Sequence, residues 1–209
     1  MKKGFDISAW QADGNGNPLF DYDRFCRAKA EGFDFVIIKL GESYQVDELF
    51  PCHFTEALRA GLEVGVYYFS HAYDEGEAER EAAFVEQTLQ AYGLTNWHLQ
   101  AGIWYDYEEH RQLRELINQG ALTAQGMTNC ISRFVNRLWA NGRERVGVYG
   151  GYSLLWDETY LYSQCPSVPV WAAQYGHSCD YVGAKIWQYT DRGTVAGVQV
   201  DCNQMLEEL

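Results

Sequence analysis

In FDFVIIKLGES, residues 33–43, the run Phe35–Ile38 is apolar and β-branched with no polar alternation. A strand wet on one face alternates, whereas a continuous apolar run fits a strand buried on both faces of a parallel sheet covered by helices. The flanking segments supply such helices. DYDRFCRAKAEG (21–32) carries Asp21 as a cap and Gly32 as a stop. FPCHFTEALRAG (50–61) ends at Gly61, and KGFDIS (3–8) and EVGVYYFSH (63–71) read as strands on either side.

The same rhythm continues. EGEAEREAAFVEQTLQAYG (75–93) is a long helix with acids in its first turns, AGIWYDYE (101–108) a strand, TAQGMTNCISRFVNRLWANG (123–142) a helix, RVGVYGGYS (145–153) a strand, and SLLWDETYL (153–161) a short helix. VPVWAAQYG, AKIWQYT and VQVDCN then follow as strands with little room for helices between them. Val-Gly-Val-Tyr occurs at 64–67 and 146–149, opening a strand each time, which marks similar βα units and not a solenoid. Eight strands favour closure. The expected fold is an α/β, irregular single-domain (β/α) barrel over 1–209, with about five βα units and then three poorly covered strands.

The acids fall where such a barrel works, at the strand ends. In AGIWYDYEEH (101–110), Trp104, Asp106 and Glu108 alternate with Ile103, Tyr105 and Tyr107, so the two carboxylates share one face. Asp6 in GFDIS and Asp201 in VQVDCN are likewise acids between apolar neighbours. Converging carboxylates raise one another's pKa, as a general acid requires. The plainer alternative is a solvated strand end with a structural ion pair.

With 16 basic and 29 acidic residues the net charge is −13, which disfavours nucleic acid and anionic membranes as partners. No apolar run is of membrane-spanning length, and MKKGFDISAW enters a strand at once, so neither membrane insertion nor a signal peptide is expected. Cysteines 26, 52, 130, 165, 179 and 202 form no Cys-x-x-Cys pair, and the five histidines lack zinc spacing. No metal or cofactor is expected. The thiols are expected reduced, a Cys165–Cys179 loop bridge being the alternative. Aromatic residues make up 15%, enough to serve as sugar platforms as well as core.

Taken in order, GFDISAWQ, FDFVIIKLGES, VGVYYFSHA, IWYDYE, VWAAQYG and IWQYT with VDCN resemble the motifs of glycoside hydrolase family 25, the lysozymes common among phage endolysins. The resemblance runs nearly end to end. It implies a muramidase that cleaves the β-1,4 bond between N-acetylmuramic acid and N-acetylglucosamine in bacterial peptidoglycan. It further implies Glu108 as general acid, Asp106 as its partner at the anomeric centre, and Asp6 and Asp201 as companions tuning their charge. Lys39, Tyr44, Tyr68, Trp104, Tyr149, Trp171 and Gln188 match groove-lining positions, with core packing the alternative for each aromatic. Tyr68 stands where many relatives place histidine. A monomer made without a signal peptide, in the host cytoplasm if phage-encoded, and acting on the wall after release is the expectation. A non-catalytic wall-binding barrel and a chitin-type hydrolase are the rivals.

Overall fold

The computed structural model describes residues 1–209. Strands β1 (Lys3–Ile7), β2 (Phe35–Glu42), β3 (Gln45–Val46), β4 (Glu63–Phe69), β5 (Ile103–Asp106), β6 (Val146–Gly151), β7 (Val170–Ala173), β8 (Ile186–Val195) and β9 (Val198–Met205) form one sheet. Its order is β1-β9-β8-β7-β6-β5-β4-β2-β3, and β1 also pairs with β2, which closes eight strands into a barrel. β3 is a short hairpin arm on β2 outside the closed ring.

From β1 to β8 every ring pairing is parallel, as the continuous apolar runs predict. The last strand departs from that expectation, because β9 runs antiparallel to both β8 and β1. The cause is local. β8 and β9 are joined by Ala196 and Gly197, with φ of 48° and 79°, and a two-residue turn of positive φ can only reverse the chain.

The helices are α1 (Tyr22–Ala30), α2 (Phe50–Arg59), α3 (Glu75–Ala91), α4 (Arg111–Asn118), α5 (Ala124–Ala140), α6 (Tyr152–Asp157) and α7 (Leu161–Gln164). Asp21 caps α1 by accepting from the Arg24 N–H at 2.9 Å, and Gly32 leaves it with φ of 92°. The sequence reading passed over α4, whose cap is His110, outside the residue types that normally mark a helix start. No helix follows β7 or β8, so the final strands are thinly covered. No helix is long and apolar enough to cross a membrane. All six cysteines are free thiols, Cys165 and Cys179 among them.

Two cores result. The larger lies between sheet and helices. The smaller fills the barrel with Phe35, Ile37, Ala101, Trp104, Tyr149, Trp171, Ile186 and Met205. Its rings fit because glycines face them: a Cβ on Gly4 would lie 2.2 Å from the Phe35 ring, and one on Gly147 2.6 Å from Trp104. The plugged interior leaves only the mouth for chemistry.

In the outer core His53 is fully buried on α2, edge-on to Phe25 at 6.4 Å, and neither ring nitrogen has a partner. Burial pushes its pKa down to about 4 from 6.5. The folded state therefore resists a proton that the unfolded chain accepts, and stability falls as pH drops through that window. Wild type should lose stability relative to His53→Leu between pH 6.5 and 4, by at most about 1.4 kcal/mol per pH unit. Urea unfolding across that range checks it, and parallel curves for the two proteins would refute it.

Candidate active site

Closing the barrel with a reversed strand sets Asp6 of β1 directly opposite Asp201 of β9. Two carboxylates face to face across an antiparallel pair repel, so the pair needs donors. Gln188, fully buried on β8, donates from Nε2 to Asp6 Oδ2 at 3.0 Å and to Asp201 Oδ2 at 3.3 Å. Asn203 donates from Nδ2 to the same Asp6 oxygen at 2.7 Å. Both amides are themselves oriented. Gln188 Oε1 accepts from the Tyr149 hydroxyl at 2.9 Å and the Tyr175 hydroxyl at 3.2 Å, while Trp171 Nε1 donates to Asn203 Oδ1 at 2.8 Å.

Asp106 ends β5 and points into the same mouth, and Glu108 lies two residues on. The strand end is held from behind. The Ser70 N–H donates to the Asp106 carbonyl at 2.9 Å, and Ser70 and Tyr105 both donate to the buried Glu81 carboxylate of α3. Asp106 is buried at 4% exposure, and its Oδ1 has no hydrogen-bond partner. Glu108 is half-buried and open to the cleft.

Burial is the main reason that all four carboxyls sit above their ordinary range. Asp6 is pushed to about 8, with Asp201's charge adding and the Asn203 and Gln188 donors opposing. Asp201 rises to about 6, helped by Asp191. Glu108 rises through burial and then Asp201's charge, against the pull of Lys39. Asp106 rises well above the usual value through burial and then Glu108, again opposed by Lys39. Lys39 is thus the mouth's cation, half-buried with Nζ 3.4 Å from Glu42 Oε2 and 5.5 Å from the Phe69 ring centre. No group of three or more His, Cys, Asp or Glu side chains is arranged to hold a metal ion.

Two depressions flank the acids. One, of about 430 Å³, is lined by Glu108, Tyr152, Ser153 and Gln174 among others. The other, of about 220 Å³, is lined by Asp6, Ser8, Trp10, Tyr67 and Asp201. The Trp10 indole is 88% exposed beside the second. Each opens beside part of the acid cluster, the first at Glu108 and the second at Asp6 and Asp201.

Of the positions singled out in the sequence, Asp6, Asp106, Glu108, Asp201, Lys39, Tyr149 and Gln188 converge here. Trp171 lies beneath them, its ring tilted against that of Tyr149 at 4.3 Å. Trp104, Tyr68 and Tyr44 fall elsewhere. Trp104 points inward but is 1% exposed, donating to the Ala101 carbonyl at 2.7 Å as part of the barrel plug. Tyr68 faces the outer core, its ring 5.7 Å from Phe84 and its hydroxyl accepting from the Tyr44 N–H at 3.0 Å. Tyr44 sits at the exposed β2–β3 turn with φ of 60°, its ring against the same Phe84. The inward neighbour is Tyr67, 6.4 Å from Trp171 and close to Asp6 and Asp106. Alternation in VGVYYF, with Val64, Val66 and Tyr68 outward, contains that signal. The sequence reading also missed Asn203, which shares Asp201's face two residues on.

The model of "Glycosyl hydrolases family 25" matches residues 5–198. Among solved structures, the modular autolysin LytC of Streptococcus pneumoniae is 26% identical with a TM-score of 0.76. The match covers 97% of this chain and 46% of that one, so this chain spans under half of the autolysin's length. LytC is also known in complex with a synthetic peptidoglycan ligand. A muramidase from Trichobolus zukalii is 25% identical with a TM-score of 0.77, covering 100% of this chain and 95% of the other. A family 25 glycosyl hydrolase from Bacillus anthracis, at 19% identity and a TM-score of 0.77, shares the fold over 100% and 90% of the two chains. No curated protein sequence is significantly similar.

The facing pair gives a direct test. Asp6 titrates near 8 when folded against 3.8 ordinarily, so acidification through that window protonates the folded state first and raises stability. Asp201→Asn removes the opposing charge and should lower the folded pKa of Asp6, moving the upper edge of the window down. Carboxyl NMR titration of both proteins reads this, and an unmoved Asp6 would mean the two acids do not interact.

Proposed function

This chain belongs to glycosyl hydrolase family 25, and on that premise we propose that it is a muramidase, cleaving the β-1,4 bond from N-acetylmuramic acid to N-acetylglucosamine in peptidoglycan. One juxtaposition carries the reading. Half-buried Glu108 opens on the cleft with its pKa raised, beside a buried Asp106 whose Oδ1 lacks a partner. Glu108, its pKa raised by its surroundings, delivers a proton to the glycosidic oxygen as the bond to the anomeric carbon breaks. Burial and the charge of Asp201 raise that pKa, and Lys39 opposes them.

Asp106 takes a different part. Ordinary retaining enzymes set two carboxyls about 5–5.5 Å apart on opposite sides of the scissile bond. Residues i and i+2 of one extended segment are about 6.5–7 Å apart at Cα and project roughly in parallel, which does not flank a bond. The unpartnered Oδ1 suits accepting a hydrogen bond from the N–H of the sugar's 2-acetamido group. The acetamido carbonyl oxygen then attacks the anomeric carbon, forming a cyclic oxazolinium and releasing the leaving-group hydroxyl. Water opens the ring and gives its proton to Glu108, so configuration is retained. The barrel of 1–209 acts as a monomeric catalytic domain on the cell wall, and the peptidoglycan ligand of the related autolysin supports that choice of substrate.

Glu108→Gln keeps the shape and removes the proton, so hydrolysis of purified walls should fall about 10²–10⁴-fold with the fold intact. Near-wild-type release of reducing ends by folded mutant protein would reject the assignment.

The acetamido route predicts more. Glycan strands de-N-acetylated on the muramic residue should resist cleavage, and intact-protein mass spectrometry should find no glycosyl adduct. Equal cleavage of matched acetylated and de-N-acetylated strands, or an adduct on Asp106, would make Asp106 a direct nucleophile instead.

A further inference from the structure

A row of aromatic rings leads out of the cleft, and the reaction described above does not require it. Tyr152 lines the cleft with Glu108, and its ring lies nearly parallel to Trp156, at 13° and 6.1 Å. Trp156 meets Tyr162 at 4.7 Å and, edge-on, the buried Tyr181 at 5.1 Å. Tyr162 and Tyr181 then line a second recess of about 220 Å³ with Val168, Val170 and Val182. Tyr162 is 50% exposed and Val182 59% exposed. The rings sit on short helices α6 and α7, with Tyr181 as a fixed backing.

We propose that this row extends the catalytic cleft into a secondary binding site for β-1,4-linked N-acetylated glycan strands, a proposal that rests on the muramidase reading. A pyranose ring has an apolar C–H face and a hydroxylated edge, matching aromatic faces that carry phenol groups at their rims. The recess is lined by apolar and tyrosine side chains with no charged residue, which suits the methyl of an acetamido group. Tyr152 belongs both to the cleft lining and to the row of rings, and so links the two. The strand's added sugars thus gain contacts that a short fragment cannot make.

The test uses Glu108→Gln protein, so that the ligand survives, with peptide-free glycan from purified walls as a tetrasaccharide and as much longer strands. Adding Tyr162→Ala should weaken binding of the long strands about fivefold to tenfold and leave the tetrasaccharide unaffected. Tyr162→Phe, which keeps the ring, should retain long-strand affinity. Equal weakening at both lengths, or no change at either, overturns the proposal. Hydrolysis of the same glycan by wild type keeps the two readings apart. Cleavage without length-dependent binding rejects the row alone, whereas neither cleavage nor binding rejects the muramidase reading with it.

Discussion

Asp6 and Asp201 stand opposite one another in a barrel mouth crowded with four carboxyls, and the rest of the structure is arranged around tolerating that repulsion. Buried like charges are not held by packing alone; they need donors that are themselves fixed. Gln188 and Asn203 meet that need because Tyr149, Tyr175 and Trp171 occupy their remaining polar atoms and leave each amide one orientation. A rim of lysines would neutralise the acids and abolish the raised pKa values. Amides bind them without removing the field.

The parallel strands were legible because buried strands lose their polar alternation, and the run Phe35–Ile38 shows this. The acids were legible for the opposite reason, since a carboxylate between apolar neighbours has few structural uses. Failures came where the pattern is short or the partner distant. Tyr67 and Tyr68 are adjacent and chemically identical, so only the strand's phase tells inside from outside, and the outer one was chosen. Trp104 does share the face of Asp106, but depth along a barrel is not written in alternation, and it lies with the plug. The reversal of β9 rests on two residues, Ala196 and Gly197, whose positive φ a strand pattern does not reveal.

Function and stability draw on the same residues in different ways. Trp171 is core by burial, yet its indole N–H holds the amide that holds Asp6. Glu81 lies outside the barrel, yet through Ser70 it steadies the strand end bearing Asp106. Residues remote from the mouth therefore set where its carboxyls stand.

The hydrogen bond from Asn203 to Asp6 joins residues 197 positions apart in the chain. Contacts of such high contact order form late, because the loop they close must already be organised. During synthesis the helices and parallel strands can assemble in order as they emerge, but the facing acids cannot. A nascent chain has no complete mouth until its final strand is free to turn back. The four-acid site is thus complete only once β9 has turned back onto β1, and a chain that has not made that pairing does not carry it.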